Sequence, residues 1–294
     1  MLVLSEDTIV APPAPPPAPR HRRTTSFGDR VRLVLRGVGQ TLITLGLVVL
    51  LFAVYEVWIT NIFAHRAQAK VYNALQDEWK NGRDPLPGND LTTIPLGTGI
   101  AVMYVPRLGT DFHFAIVQGS TVPNDAQLEK GPAHYGDTQL PGQVGNFAVA
   151  GHRVGKGEPF LNIDKLRSGD AVIVETKKWW YVYRVLGQPK GADPQDNMTE
   201  IPVKNHDPVE VPGREIIDPS QGEVVLPIPN HTEYSEADAQ VALMTMTTCH
   251  PKFTAEHRMI VHAELDLKVR NTEALIQQEQ MPAQIQALYG EVKL

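Results

Sequence analysis

Hydrophobic and polar positions divide the 294-residue chain into parts with different patterns. A proline-rich and basic segment covers residues 1–36, and an uncharged apolar run follows from Gly37 to Tyr55. At about 1.5 Å per residue this run forms a helix of roughly 28 Å, close to the roughly 30 Å hydrocarbon core of a bilayer. The pattern therefore predicts a membrane-spanning signal anchor over residues 37–59, with Tyr55 and Trp58 at the far interface.

Two other interpretations fit the apolar run less well. A cleaved signal peptide has an apolar core of about 7–15 residues and small residues at its cleavage site, whereas this run is longer and Glu56 follows it directly. A buried core helix would normally carry a polar face. Six arginines precede the span, so the positive-inside rule predicts a cytoplasmic N-terminus and an extracellular remainder of a single-pass cell-membrane protein.

The charge distribution agrees with this topology. Residues 1–36 hold six basic and three acidic side chains, whereas the rest of the chain is acidic within an overall net charge of −6. Because no basic patch lies beyond the membrane flank, nucleic-acid binding is disfavoured. No P-loop, dinucleotide or G-x-S-x-G fingerprint appears, and no cofactor is expected.

The exported part changes from a helical to an extended pattern. Residues 60–94 predict a stalk helix followed by a Gly- and Pro-containing linker. Short runs rich in β-branched and aromatic residues then indicate an all-β barrel or sandwich. The proline- and acid-rich stretch 189–226 predicts a loop insertion, solvated rather than calcium-binding, and residues 269–294 predict a peripheral tail. The predicted strands are Ile100–Val105, His113–Val117, Asn146–His152, Ala171–Glu175, Trp179–Gln188, Leu243–Cys249 and Met259–Leu267.

Cys249 is the only cysteine, and it ends a strand-like run that contains three threonines. A single thiol cannot form an internal disulfide, so it is either a buried core residue or a reactive group. Arg258 opens the next apolar run nine residues later, and a short turn between two strands would make the two residues neighbours. A partly exposed thiol near fixed positive charge favours the thiolate, so the sequence predicts a nucleophile.

A cysteine nucleophile needs a partner that moves protons, and His152 is the best placed of the ten histidines. It follows an apolar strand and Gly151, a position from which a scaffold delivers a functional group to a surface cleft. Its residue pattern alone leaves a catalytic and a structural role equally open. We expect His262, on the same strand face as Arg258, to be partly buried and structural.

A zinc site is the competing use of this region. Neighbouring residues of a strand point to opposite faces, which separates Cys249 from His250. The spacings also fit no zinc template, so no metal is expected. The ligands of such a site would be Cys249, His250, His257 and His262.

The segment Ala148–Arg153, the run Thr245–Cys249 and Arg258 together resemble the sortases, the membrane-anchored cysteine transpeptidases of Gram-positive cell surfaces. The family hallmark is a Thr-Leu-x-Thr-Cys strand with a histidine far upstream and an arginine on the following strand. Here His152 lies 97 residues before Cys249, and Met246 stands at the leucine position with similar volume.

The resemblance covers residues 95–268 and is greatest to the class E sortases of actinobacteria, as in Gly131–Tyr135, Leu140–Gln143 and Thr248–Phe253. It implies a mostly β fold, a sortase-type closed β-barrel of about eight strands with short helices, preceded by one transmembrane helix.

The resemblance also implies the chemistry. Cys249 would attack the carbonyl between Thr and Gly of a C-terminal sorting signal, LPXTG-like and more specifically LAXTG, and form a thioacyl intermediate. His152 would act as general acid and then base, Arg258 would stabilise the oxyanion, and Thr248 would assist substrate binding. The implied partners are secreted proteins that carry the signal and a peptidoglycan precursor or another amine acceptor.

Two alternatives stay open. Pilus-type sortases usually carry an aspartate-proline-aromatic lid and a second membrane span, but Asp84-Pro85-Leu86 lacks the aromatic residue and no second apolar run follows. A non-catalytic, membrane-tethered β-barrel binding protein with an inert cysteine is the alternative from a different class.

Overall fold

The structure is a computed structural model that describes residues 27–55, 60–86 and 94–292. The chain separates into two compact units, Met1–Phe52 and Ala53–Leu294.

The first unit contains all but the last two residues of the helix α1, Phe27–Val54, whose 28 residues include most of the apolar run. Its large apolar side chains are exposed, and by length and composition the helix suffices to cross a membrane. It begins earlier than the predicted span 37–59, so Arg30, Arg32 and Arg36 are helical. Residues 56–59 of that prediction, including Trp58, lie outside the described residues.

The second unit is mostly β. Its helices are α2 Thr60–Lys80, α3 Asp125–Leu128, α4 Glu273–Gln278 and α5 Ala283–Ala287, with 3-10 turns at Pro106–Leu108, Ile163–Lys165, Glu223–Val225, Glu236–Asp238 and Leu288–Glu291. Its strands are β1 Gly99–Tyr104, β2 His113–Gln118, β3 Ala133–His134, β4 Gly145–Ala150, β5 Ala171–Glu175, β6 Trp179–Val185, β7 Met198–Ile201, β8 Val209–Pro212, β9 Arg214–Ile217, β10 Ala242–His250 and β11 His257–Arg270.

Eight of these strands close a barrel in the order β10-β4-β3-β2-β1-β5-β6-β11, because β11 also pairs with β10. The pairs β10–β4 and β2–β3 are parallel, and the remaining barrel pairs are antiparallel. Closure satisfies the backbone groups that an open sheet would expose at its edges. The predicted closed eight-strand barrel is thus confirmed.

The barrel interior is filled by apolar side chains from facing strands. Phe147, Tyr183 and Met244 are buried there with β-branched neighbours such as Ile116 and Val261. Branched and aromatic side chains pack well on a pleated surface, which explains why the short runs rich in these residues become strands.

Helix α2 packs on the outer face of the barrel, which corrects the prediction of a stalk over residues 60–94. Leu75 and Trp79 are buried in one cluster with Trp180. The buried Gln68 amide accepts a hydrogen bond from the Ala115 N–H (2.6 Å) and donates one to the Ala115 carbonyl (3.1 Å). Helical spacing revealed the helix but not which surface its apolar face would cover. Residues 87–93 of the predicted linker lie outside the described residues.

Two further predictions need correction. The stretch 189–226 is not only a loop: β7 and β8 form a two-stranded sheet within it, and β9 pairs with β11. Each of these strands is only four residues long and β8 ends at Pro212, so no run of alternating apolar and polar residues was long enough to reveal them. The predicted peripheral tail instead buries Ile276, Ile285 and Leu288 against α2.

Candidate active site

Cys249 and Arg258 lie directly opposite each other across the antiparallel pair β10–β11. Paired Cβ atoms in such a sheet are about 4.5–5.5 Å apart, so the strand register alone places these two side chains next to each other on one face. Cys249 is a free, partly exposed cysteine, while Thr247 and Thr248 before it are buried. The Cys249 thiol therefore lies at the point where the strand pair β10–β11 passes from the buried part of the barrel to the protein surface.

His152 is brought to the same end of the barrel by β4, which runs parallel to β10. The Gly151 N–H donates to the Thr247 carbonyl (3.0 Å), and the Thr248 hydroxyl donates to the Gly151 carbonyl (2.7 Å). The residue before His152 is thus fixed to the strand that carries Cys249. Thr248, the predicted substrate-binding residue, uses its buried hydroxyl for this connection.

Arg153 fixes the other side of His152. Its guanidinium is almost fully buried and donates from Nη1 to the Cys249 carbonyl (3.4 Å) and to Nδ1 of His250 (3.3 Å). Nη2 forms a 2.9 Å ion pair with Asp164. Sequence reasoning assigned Arg153 no role, although it directly follows the candidate histidine.

The His152 ring is half-buried and electrostatically biased toward its neutral form. Burial is the main cause that lowers its pKa, and the positive charge of Lys156 lowers it further, while Asp125 and Glu129 act in the opposite direction. Its Nε2 is buried and has no hydrogen-bond partner within the described residues. A neutral ring with an unpartnered nitrogen can accept a proton, and the protonated ring that results can deliver it.

The arrangement suits acyl transfer: a partly exposed thiol, a cation on the adjacent strand and a half-buried imidazole share one end of the barrel. Residues 103–266 match the family model described as a sortase domain. The chain belongs to the sortase family.

Curated relatives include two class E sortases. The chain is 32% identical to sortase SrtE1 of Streptomyces coelicolor over 84% of its own length and 61% of the relative's. It is 32% identical to sortase SrtE2 of the same organism, over 78% of its own length and 80% of the relative's. The sortase thus spans less than two thirds of the length of SrtE1.

A solved structure, the SrtF sortase from Corynebacterium diphtheriae, matches with 37% identity and a TM-score of 0.51. The match covers 66% of this chain and 94% of that one. This structural similarity supports the closed barrel fold, and that support does not depend on the candidate catalytic residues.

The guanidinium of Arg258 is partly exposed and is held by the turn between β10 and β11. Its Nη1 donates to the carbonyls of Ala255 (3.2 Å) and His257 (3.1 Å). These bonds hold the guanidinium at the turn, on a side chain that lies opposite Cys249 in the strand register. A planar guanidinium in this position can interact with negative charge on a substrate oxygen.

Tyr135 is a further residue of the sortase site for which the sequence predicted no role. Its hydroxyl is 2.8 Å from Oγ1 of Thr247. Burial is the main cause that raises its pKa, the Thr247 hydrogen bond and Arg258 lower it, and Cys249 raises it. The segment Gly131–Tyr135 carried the family resemblance, which was the signal available for finding it.

The remaining histidines near Cys249 do not form a metal site. His262 is fully buried, with Nδ1 2.8 Å from the Thr245 hydroxyl and Nε2 3.1 Å from Glu215, which accounts for it as a structural residue. His250 pairs with His257 across the strands. Within the part of the chain that the structure describes, no group of three or more His, Cys, Asp or Glu side chains is placed to bind a metal ion.

Proposed function

We propose that this sortase is a membrane-anchored cysteine transpeptidase of the class E type, with Cys249, His152 and Arg258 as its catalytic residues. The observation that carries the proposal is the connection of both neighbours of His152 to the strand of Cys249, in a register that pairs Cys249 with Arg258. An inert cysteine in a binding protein would not require this convergence.

In the first half-reaction the Cys249 thiolate adds to the carbonyl carbon between Thr and Gly of the sorting signal. The carbonyl oxygen takes up negative charge, which Arg258 stabilises. Collapse of this intermediate breaks the C–N bond, and protonated His152 delivers its proton to the departing glycine amine. The products are a thioacyl-enzyme and a free amine.

In the second half-reaction an acceptor amine attacks the thioester carbonyl. His152, now neutral, takes the proton from the attacking nitrogen, and the carbon–sulfur bond breaks to regenerate the Cys249 thiolate. The new amide joins the secreted protein to the acceptor, which we propose to be a peptidoglycan precursor. The half-buried ring of His152 suits this step because burial, the main cause that lowers its pKa, favours the neutral form that takes up the proton.

The substrate proposal rests on the class E relatives. We propose that the sorting signal is Leu-Ala-x-Thr-Gly in preference to Leu-Pro-x-Thr-Gly. The role of Thr248 in substrate binding would be indirect, since its hydroxyl positions the Gly151 carbonyl next to His152.

The proposed domain arrangement follows the charge pattern and α1. Residues 1–36 would lie in the cytoplasm, residues 37–59 in the membrane, and the catalytic domain 95–268 outside the cell. The apolar surface of α1 supports the membrane placement because a helix with exposed leucine and valine side chains on all sides requires an apolar environment.

The test is a transpeptidation assay with the full chain in detergent micelles, a fluorescent Leu-Ala-x-Thr-Gly peptide and an amine acceptor. We expect a peptide–amine product with the wild type and none with Cys249→Ala. We also expect the wild type to form less product from a Leu-Pro-x-Thr-Gly peptide than from the Leu-Ala-x-Thr-Gly peptide. Equal product from wild type and Cys249→Ala, or none from either, would reject the enzyme proposal.

A further inference from the structure

The loop that follows His152 has an unusual backbone. Gly155, Lys156, Gly157 and Glu158 have consecutive positive φ angles of 69°, 50°, 83° and 39°. Left-handed backbone is disfavoured for residues with a Cβ, and here Lys156 and Glu158 adopt it side by side with glycines. Such a conformation persists where the surrounding structure imposes it, and it occurs most often at functional sites.

This loop closes directly on His152. The Phe160 N–H donates to the His152 carbonyl (3.1 Å), so residues 152–160 begin and end at the same place. A Cβ on Gly151 would lie only 2.6 Å from the Phe160 ring, which shows how closely the ring covers the backbone before His152. Because the loop is hydrogen-bonded directly to the backbone of His152, a change in the loop conformation would also change the position of His152.

Two elements from elsewhere in the chain hold the loop. Oδ1 of Asn61, in the first turn of α2, accepts a hydrogen bond from the Gly157 N–H at 2.9 Å. On the other side, Nζ of Lys156 lies 3.3 Å from Asp125 and 3.2 Å from Glu129 at α3.

The contact with α2 is also steric. A Cβ at Gly157 would lie 3.3 Å from Cβ of Ala64, which is buried in the same helix. The loop therefore rests on the first turns of α2, and Asn61 is the side chain that fixes its backbone there.

We propose that Asn61 is a positioning residue for His152 and that the first turn of α2 belongs to the catalytic unit of the sortase. This inference rests on the proposed function, in which His152 is the acid-base group. Asn61 acts through the 152–160 loop and does not touch the substrate. The helix that follows the membrane anchor would then contribute to catalysis as well as linking the anchor to the barrel.

The experiment compares the full chain with Asn61→Ala, which removes the acceptor, and Asn61→Asp, which retains an acceptor oxygen. Asn73→Ala is the matched control, because Asn73 is exposed on the same helix. The readouts are kcat and KM with the Leu-Ala-x-Thr-Gly peptide, the Tm, and the titration of the His152 ring by NMR of histidine-labelled protein.

Loss of one hydrogen bond that orders the loop predicts a decrease in kcat of about 3- to 10-fold for Asn61→Ala. We expect an unchanged KM, a His152 pKa closer to its ordinary value because the loop admits water, and recovery in Asn61→Asp. Asn73→Ala should match the wild type in every readout.

A kcat and a His152 titration of Asn61→Ala that equal those of the wild type would overturn the inference. So would a decrease in Tm as the only change, since this indicates a purely structural role. If the wild type forms no product, the proposed function fails, and the His152 titration still decides whether Asn61 controls the environment of that ring.

Discussion

The two halves of the candidate site are built in different ways. Cys249 and Arg258 belong to the regular antiparallel pair β10–β11, in which every residue from Leu243 to His250 has a cross-strand partner. His152 follows the end of β4 and enters an irregular loop with four consecutive positive φ angles. Strand register therefore positions the cysteine half, while a few separate side chains position the histidine half.

The two halves therefore differ in how strongly a single substitution should affect them. A regular ladder distributes its support over many backbone hydrogen bonds, so a single side-chain change alters the geometry of Cys249 little. Beyond Gly151, the histidine half depends on individual side-chain contacts such as those of Arg153, Lys156 and Asn61. Substitutions at such positioning residues should reduce the rate more than they reduce the stability of the barrel.

Replacement of His152 itself should have the largest effect. His152→Gln removes proton transfer while it preserves a polar side chain, and we expect transpeptidation to fall about 100- to 10,000-fold. The assay is product formation from the Leu-Ala-x-Thr-Gly peptide with an amine acceptor. His206→Gln, on an exposed histidine of the same domain, is the control and should retain full activity. A near-normal kcat in the His152→Gln variant would show that His152 is not a catalytic residue.

Arg153→Met should have the next largest effect, because it retains a long apolar side chain but removes the donors to the Cys249 carbonyl and to His250. We expect kcat to decrease about 10- to 100-fold, in line with the loss of hydrogen bonds from a charged donor. The exposed Arg167→Met is the matched control. Asp164→Asn should reproduce part of the decrease in kcat. Equal activity of Arg153→Met and Arg167→Met would show that Arg153 does not connect the cysteine half of the site to the histidine half.

Substitutions around the loop should move the His152 pKa in opposite directions. Lys156 lowers it, so Lys156→Met should raise it and shift the corresponding limb of the pH–rate profile to higher pH. Asp125 raises it, so Asp125→Asn should lower it. NMR titration of the ring measures both shifts. The pH–rate profile can combine the titration of several interacting groups, so only the direction in which its limb moves is compared. Shifts of the same sign in both variants would contradict the assigned charge environment.

The smallest expected effect is acid destabilisation through His134 on β3, the barrel strand next to β4. Its ring is buried against Gln118 and the Gln139 carbonyl, and burial lowers its pKa from 6.5 to about 4. The unfolded chain takes up this proton near the ordinary value and the folded chain does not, so stability is lost as the pH falls from 6.5 toward 4.

Between pH 8 and about pH 6, proton uptake by His134 in the unfolded chain lowers the free energy of unfolding by about 1 kcal/mol. Hydrogen exchange should show earlier loss of protection in β3 and β4 than in β10 and β11. The His134→Gln variant should lose part of this pH dependence. Equal loss of protection in β3, β4, β10 and β11 would show that the two pairs of strands do not differ in their sensitivity to acid.

The same contrast explains what the sequence could predict. Short apolar runs and a lone cysteine before an arginine were sufficient to predict seven of the eight barrel strands and the Cys249–Arg258 pair, because alternation and a short turn determine strand register. The two-residue strand β3, Ala133–His134, is too short to show any alternation and was not predicted. The position of His152 required the family resemblance, since the parallel pairing of β4 with β10 joins residues almost one hundred positions apart. Arg153, Tyr135 and Asn61 act through contacts across the fold, which no local periodicity encodes. The packing of α2 on the barrel was missed for the same reason.

The proposed chemistry requires that a sorting signal acylates Cys249. Mass spectrometry of the full chain, mixed with a Leu-Ala-x-Thr-Gly peptide in the absence of an acceptor amine, tests this most directly. We expect a mass increase equal to the peptide portion up to Thr, located on Cys249 by peptide mapping and absent in Cys249→Ala. No adduct under conditions in which the peptide is bound, or an adduct that persists in Cys249→Ala, would contradict the account.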